Sequence, residues 1–140
     1  MLYNIYVRKQ SKQPISKIQR DLWVECRRIA GEQFKNKSGG VDCYTCNAKN
    51  LQGSNRQLGH VPYPKSTLGA YLKYDVFRVL RWQCMRCNIH GGGMGAEAYK
   101  RMLKEEGKDW MEKLEQDRNV TLKAYDHYVK LLDEYRTITL

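Results

Sequence analysis

Two Cys-x-x-C pairs carry the clearest chemical signal in the chain: Cys43-Tyr-Thr-Cys46 and Cys84-Met-Arg-Cys87. Each spacing sets two thiolates on one side of a tight turn, and four thiolates suit a tetrahedral Zn²⁺. Disulfides or a thioredoxin-like redox pair are the competing readings. The first belongs to exported chains, and the second leaves one pair without a role, so structural zinc is the expectation. Cys26 stands apart and reads as a buried thiol. Between the pairs lies Gln57-Leu-Gly-His60, and after the second pair come Asn88 and His90, before Gly91-Gly-Gly93. The plainer readings are a turn histidine at His60, a helix cap at Asn88, an exposed His90 and an ordinary glycine turn.

Helices must flank this loop-rich centre. Ile18, Leu22, Cys26, Ile29, Ala30 and Phe34 recur every three or four residues, which predicts a helix from Ser16 to about Phe34. It cannot bury its stripe alone and must pack on something downstream. From Ala96 the pattern turns helical again, with Ala98, Tyr99, Met102 and Leu103 as one face and Gly107 as its end. A further helix is expected from Asp109, as cap, to about Arg118, burying Trp110, Met111 and Leu114. A last one should cover Leu122 to Tyr135, with Tyr125, Tyr128, Val129, Leu132 and Tyr135 inward. The expected organisation is an N-terminal segment and helix (1–40), a cysteine-stapled core (41–107) and C-terminal helices (108–140).

The order C-x-x-C, G-H, Q-C-x-x-C-N and a Gly-rich turn resembles the HNH (ββα-metal) nucleases with a zinc-knuckle frame. More narrowly, it resembles the NinG family of phage recombination proteins. The resemblance covers roughly residues 20 to 110 and implies an α+β fold: a small zinc-stapled ββα-metal, HNH-like core flanked by N-terminal and C-terminal helices. It implies His60 as general base in phosphodiester hydrolysis and Asn88 as ligand of a catalytic Mg²⁺ or another divalent cation. Zinc would then hold the frame and take no part in the chemistry. Many relatives carry an acid one or three residues before the histidine, where this chain has Gly59 and Gln57. Gln57 and His90 are therefore further candidate ligands, and Asp75 is the one acid in the core that could compensate. The implied partner is DNA, including branched recombination intermediates, and symmetric cutting of two strands would need a homodimer.

Charge points the same way. The 140 residues carry 25 basic and 15 acidic side chains, a net +10, and the excess lies before residue 96. Between residues 43 and 95 Asp75 is the only acid among Lys49, Arg56, Lys65, Lys73, Arg78, Arg81 and Arg86. Such a field favours a polyanion, with Arg56, Lys65, Lys73, Arg78, Arg81 and Arg86 as the candidate phosphate contacts. No apolar run of roughly 18 residues exists, which excludes a helical membrane span. Arg8, Lys9 and Lys12 interrupt the start too early for a secretory signal, so the expected compartment is the cytoplasm, that of the host if the protein is phage-encoded. Three functions compete: a metal-dependent DNA endonuclease or nickase, a non-catalytic zinc-stabilised nucleic-acid-binding module, and a docking protein using its C-terminal helices.

Overall fold

A computed structural model describes residues 12–140, so Arg8 and Lys9, two of the three charges read against a secretory signal, lie outside the described residues. Helix α1 (Ile15–Gln33) buries Ile18, Leu22, Cys26, Ile29 and Ala30, the face its periodicity specifies. Strand β1 (Gln57–His60) pairs antiparallel with β2 (Leu80–Gln83), placing Gln57 opposite Gln83 and His60 opposite Leu80. Two one-turn helices, α2 (Ala70–Lys73) and α3 (Val76–Val79), connect the strands. After β2 the chain makes a π-helical turn (Arg86–His90), then runs into α4 (Gly95–Glu106), α5 (Lys108–Asp117) and α6 (Ala124–Arg136). Among the described residues the fold is α+β, mostly helical, with one small two-stranded sheet.

All four residues of β2 are buried although Arg81 and Gln83 are polar, because the Arg81 guanidinium and the Gln83 amide nitrogen find partners. Arg81 Nη1 donates to the Phe77 and Leu80 carbonyls at 3.0 and 2.8 Å, and its guanidinium lies 4.4 Å from the Phe34 ring centroid. One apolar cluster joins α1, both strands, the short helices and α6. Here α1 finds its downstream partner, since α6 packs along it. Arg28 donates to the Tyr135 and Ile138 carbonyls at 2.8 and 3.0 Å, closing the C-terminus onto α1. The buried Tyr135 hydroxyl donates to the Tyr74 carbonyl at 2.7 Å and accepts from the Val76 amide at 3.1 Å. These bonds fix the segment between the strands against the C-terminal helix.

Three details differ from the sequence reading. Tyr99 and Leu103, expected on the buried face of α4, are each 40% exposed, because only Ala98 and Met102 reach the small cluster with Val61 and Met111. Gly107 rather than Asp109 stands at the start of α5, where its φ of 93° suits a residue without Cβ. Helix α6 begins at Ala124, two residues later than its pattern suggested. Among the described residues, no helix is long and apolar enough to cross a membrane.

Candidate functional site

The first cysteine pair sits in a loop closed by backbone bonds from Cys43 N to Ala48 O (2.9 Å) and Leu51 N to Val41 O (2.8 Å). The second starts where β2 ends and continues into the π-helical turn, and Met85 N is tied to Asn55 Oδ1 at 2.8 Å. This brings the Sγ atoms of Cys43, Cys46, Cys84 and Cys87 within 4.8 Å of one another. Cys46 and Cys84 are 3.6 Å apart. A tetrahedron with bonds of about 2.3 Å has edges of about 3.8 Å, so four free thiols in this arrangement could hold a metal ion such as zinc. Burial opposes a charge on Cys43, but hydrogen bonds led by the backbone N–H groups of Cys84 and Thr45 outweigh it and bring the thiol to about 6. Cys26 lies elsewhere, with its Sγ 3.6 Å from the Tyr74 carbonyl and burial pushing it up to about 12, as befits an inert core thiol.

His60 ends β1, and its Nε2 lies 2.9 Å from the Lys73 carbonyl oxygen. A carbonyl only accepts, so Nε2 carries the proton and Nδ1 holds the basic lone pair. The Trp23 indole stacks on the imidazole at 5.9 Å between centroids and 13° between planes. Burial, with help from the nearby Lys65 and Lys73 charges, holds the His60 pKa below its usual 6.5 despite the carbonyl bond. The ring is thus oriented, covered on one face and neutral at pH 7. It borders a cleft of about 620 Å³ whose wall includes Arg20, Trp23, Gly59, Lys65 and Asn88.

Asn88 Nδ2 donates to Gln57 Oε1 at 2.9 Å, which leaves Asn88 Oδ1 as its free donor atom. Gln57 Nε2 in turn donates to the Ser54 carbonyl at 2.8 Å, so Gln57 orients Asn88 and has both ends occupied. Gly59 makes this packing feasible. A Cβ there would stand 2.3 Å from Gln83 Oε1 and 2.5 Å from Asn88 Oδ1. Gln83 is held by its other end, since Nε2 donates to Thr45 Oγ1 at 2.9 Å and the Gly93 carbonyl at 2.7 Å. Its buried Oε1 has no hydrogen-bond partner and faces Gly59. The glycine turn serves close packing too: a Cβ at Gly95 would lie 2.7 Å from the Pro62 carbonyl oxygen. Gly93 lies against the end of β1, where a Cβ would come within 3.4 Å of the His60 carbonyl oxygen.

Several residues expected at the site are engaged elsewhere. Asp75 caps α3 by accepting from Arg78 N and pairs with Arg78 Nε at 2.7 Å, so it does not compensate for the absent acid. Arg78 also pairs with Asp117 at 2.7 Å, and both its charged ends are spent on tertiary structure. Arg81 is buried between Phe34 and Tyr44 and cannot reach a phosphate without unpacking. His90 is exposed beside Cys87 and Arg86, in a groove separate from the His60 cleft. Arg86 is likewise exposed next to Cys46. Lys65 is exposed at the cleft, Lys73 supplies the carbonyl under His60, and Arg56 lies over the Trp82 ring at 4.6 Å. Arg20 and Trp23 are among the cleft residues that sequence reasoning missed. Their signal was a second stripe on α1, at positions 20, 23 and 27, beside the apolar one.

The chain matches no protein-family model, no curated protein and no solved structure. Its function must be argued from the site.

Proposed function

We propose that this protein is a metal-dependent DNA endonuclease or nickase of the HNH type, with β1, β2 and the turn bearing Asn88 as its ββα-metal core. The observation that carries the reading is the His60 imidazole, with Nε2 bonded to the Lys73 carbonyl and its ring under Trp23, in a cleft lined by Arg20 and Lys65. A base pre-oriented beside unshielded cations suits hydrolysis of a phosphodiester. His60 Nδ1 takes the proton of the attacking water. Arg20 and Lys65 bind the phosphate oxygens and stabilise the added negative charge. Zn²⁺ in the thiol quartet keeps β2 and the Asn88 turn in register.

The donor set near Asn88 tests the second metal. No carboxylate lines the cleft among the described residues, and Asn88 Oδ1 is a neutral oxygen donor. That suits a weakly held Mg²⁺ completed by water and a substrate phosphate. Such an ion would lower the charge on the phosphate and the leaving oxygen. The same lack of a carboxylate favours the second reading, a zinc-stapled module that binds DNA without cutting it. Docking through the C-terminal helices has less to draw on, because α6 spends Tyr128, Leu132 and Tyr135 on the core.

Nicking of supercoiled and four-way-junction DNA with and without Mg²⁺ separates the first two readings. His60→Ala should lose about 10² to 10⁴-fold in rate while keeping zinc and DNA affinity. Wild-type protein that cuts no duplex, single-stranded or junction DNA with any divalent ion would overturn the nuclease and leave the binding module.

A further inference from the structure

On α1 the second stripe runs on past the cleft. Arg20 and Trp23 border the His60 cleft, and Arg27 follows two turns after Arg20, about 10 Å further along the helix. The Arg27 guanidinium lies over the Trp82 ring at 5.1 Å, and the Arg56 guanidinium lies over the same ring at 4.6 Å. Arg56 rests along α1 at Gly31, where even a Cβ would come within 3.4 Å of its Nη2. Trp82 is itself only 2% exposed, so the shelf under both cations is a fixed part of the core.

Neither guanidinium has a carboxylate partner among the described residues. The acids on this helix are spent elsewhere: Asp21 on Lys17, Glu25 on Arg28 and Glu32 on Lys35. Two like charges held on one ring repel, and an anion bound to both relieves the arrangement. The planar forks of arginine match phosphate oxygens, and the indole shelf holds them oriented before binding.

We infer that Arg27 and Arg56 form a phosphate clamp on Trp82, and that a DNA strand runs along α1 from this clamp to the His60 cleft. The roughly 10 Å from Arg20 to Arg27 equals about three nucleotides of axial rise in a B-form strand, so one backbone can engage both ends. The inference rests on the nucleic-acid part of the proposed function and does not depend on cleavage.

Binding of a short fluorescein-labelled DNA duplex, read by anisotropy across a salt series without added divalent cation, tests it. Each clamp arginine replaced by alanine should flatten the slope of log K against log salt by about 0.9 and weaken binding about eightfold at 0.1 M salt. Arg27→Ala with Arg56→Ala should therefore flatten the slope by about 1.8. Arg27→Lys with Arg56→Lys keeps the charge and should keep the slope, which separates a phosphate contact from a packing role. Lys17→Ala, on the Asp21-paired side of α1, should leave the slope unchanged. Equal slopes for wild type and the double alanine variant, at equal zinc content, would overturn the clamp, as would a wild type that binds no duplex. Salt-dependent binding that the double variant loses, in a protein that never nicks DNA, would uphold the clamp and overturn the nuclease alone.

Discussion

Gly59→Ala adds one methyl group at a point where two side chains have no room to give. The new Cβ would meet Gln83 Oε1 at 2.3 Å and Asn88 Oδ1 at 2.5 Å, well inside any ordinary van der Waals contact. Gln83 cannot swing away cheaply, because its amide nitrogen is held by Thr45 and Gly93. Asn88 can move only by losing Gln57. Overpacking of this kind costs about 1–3 kcal/mol, and at this chain length each kcal/mol lowers Tm by about 3–4 °C, so a fall of about 3–12 °C is expected. Differential scanning calorimetry of zinc-loaded protein measures it. A double-mutant cycle with Gln83→Ala sharpens the test: removing Gln83 should recover part of the cost of Gly59→Ala, because the clash goes with it. Because Asn88 is displaced, Mg²⁺-dependent nicking should suffer more than stability alone accounts for. A Gly59→Ala protein with wild-type Tm, or a cycle with no coupling, would refute the claim that these two amides close over Gly59. The same geometry explains why an acid directly before His60 is excluded here.

Metal analysis should find one zinc per chain, and Cys84→Ser or strong chelation should melt the β1–β2 frame, seen as lost near-ultraviolet circular dichroism. The acidic limb in the pH dependence of kcat/KM for nicking should be centred below 6.5, because burial lowers the His60 pKa. An acidic limb centred above 6.5 would mean that another group supplies the base. The lowered pKa also means that the unfolded chain takes this proton first, so this contribution to stability is present above about 6.5 and lost as pH falls. Arg78→Ala should cost about 1–3 kcal/mol in urea unfolding, since it leaves the nearly buried Asp117 with Lys113 alone, and DNA affinity should stay near wild type.

Some of this was legible in the residues alone. The apolar stripe of α1 emerged in place because a 3.6-residue period is a local property of the chain. The two thiols of each Cys-x-x-C pair were legible because a tight turn orients both whatever surrounds it, whereas the bond from Tyr44 N to the Trp82 carbonyl helps to bring the two pairs together. Basic residues were another matter. Type and position suggested six phosphate contacts, yet Arg78 pairs with Asp117 and Arg81 packs on the Phe34 and Tyr44 rings, while Arg20 borders the cleft and Arg27 continues the same edge of α1 outside the cysteine-rich core. Nothing local distinguishes a guanidinium that will meet a buried carboxylate from one that will face water, because the difference is set by residues far away in sequence.

His60 shows the division most clearly. The resemblance implied a base at this position, but its tautomer and orientation come from the Lys73 carbonyl and the Trp23 ring, contributed by two separate helices. The need for glycine at position 59 is likewise invisible until β1 and β2 pair and Gln83 and Asn88 close over it. Residue type and short spacing determine which ligands and bases are available and which local turns and helices carry them. Desolvation, hydrogen-bond partners and steric room are sums over the whole packed chain, and these only the tertiary structure decides.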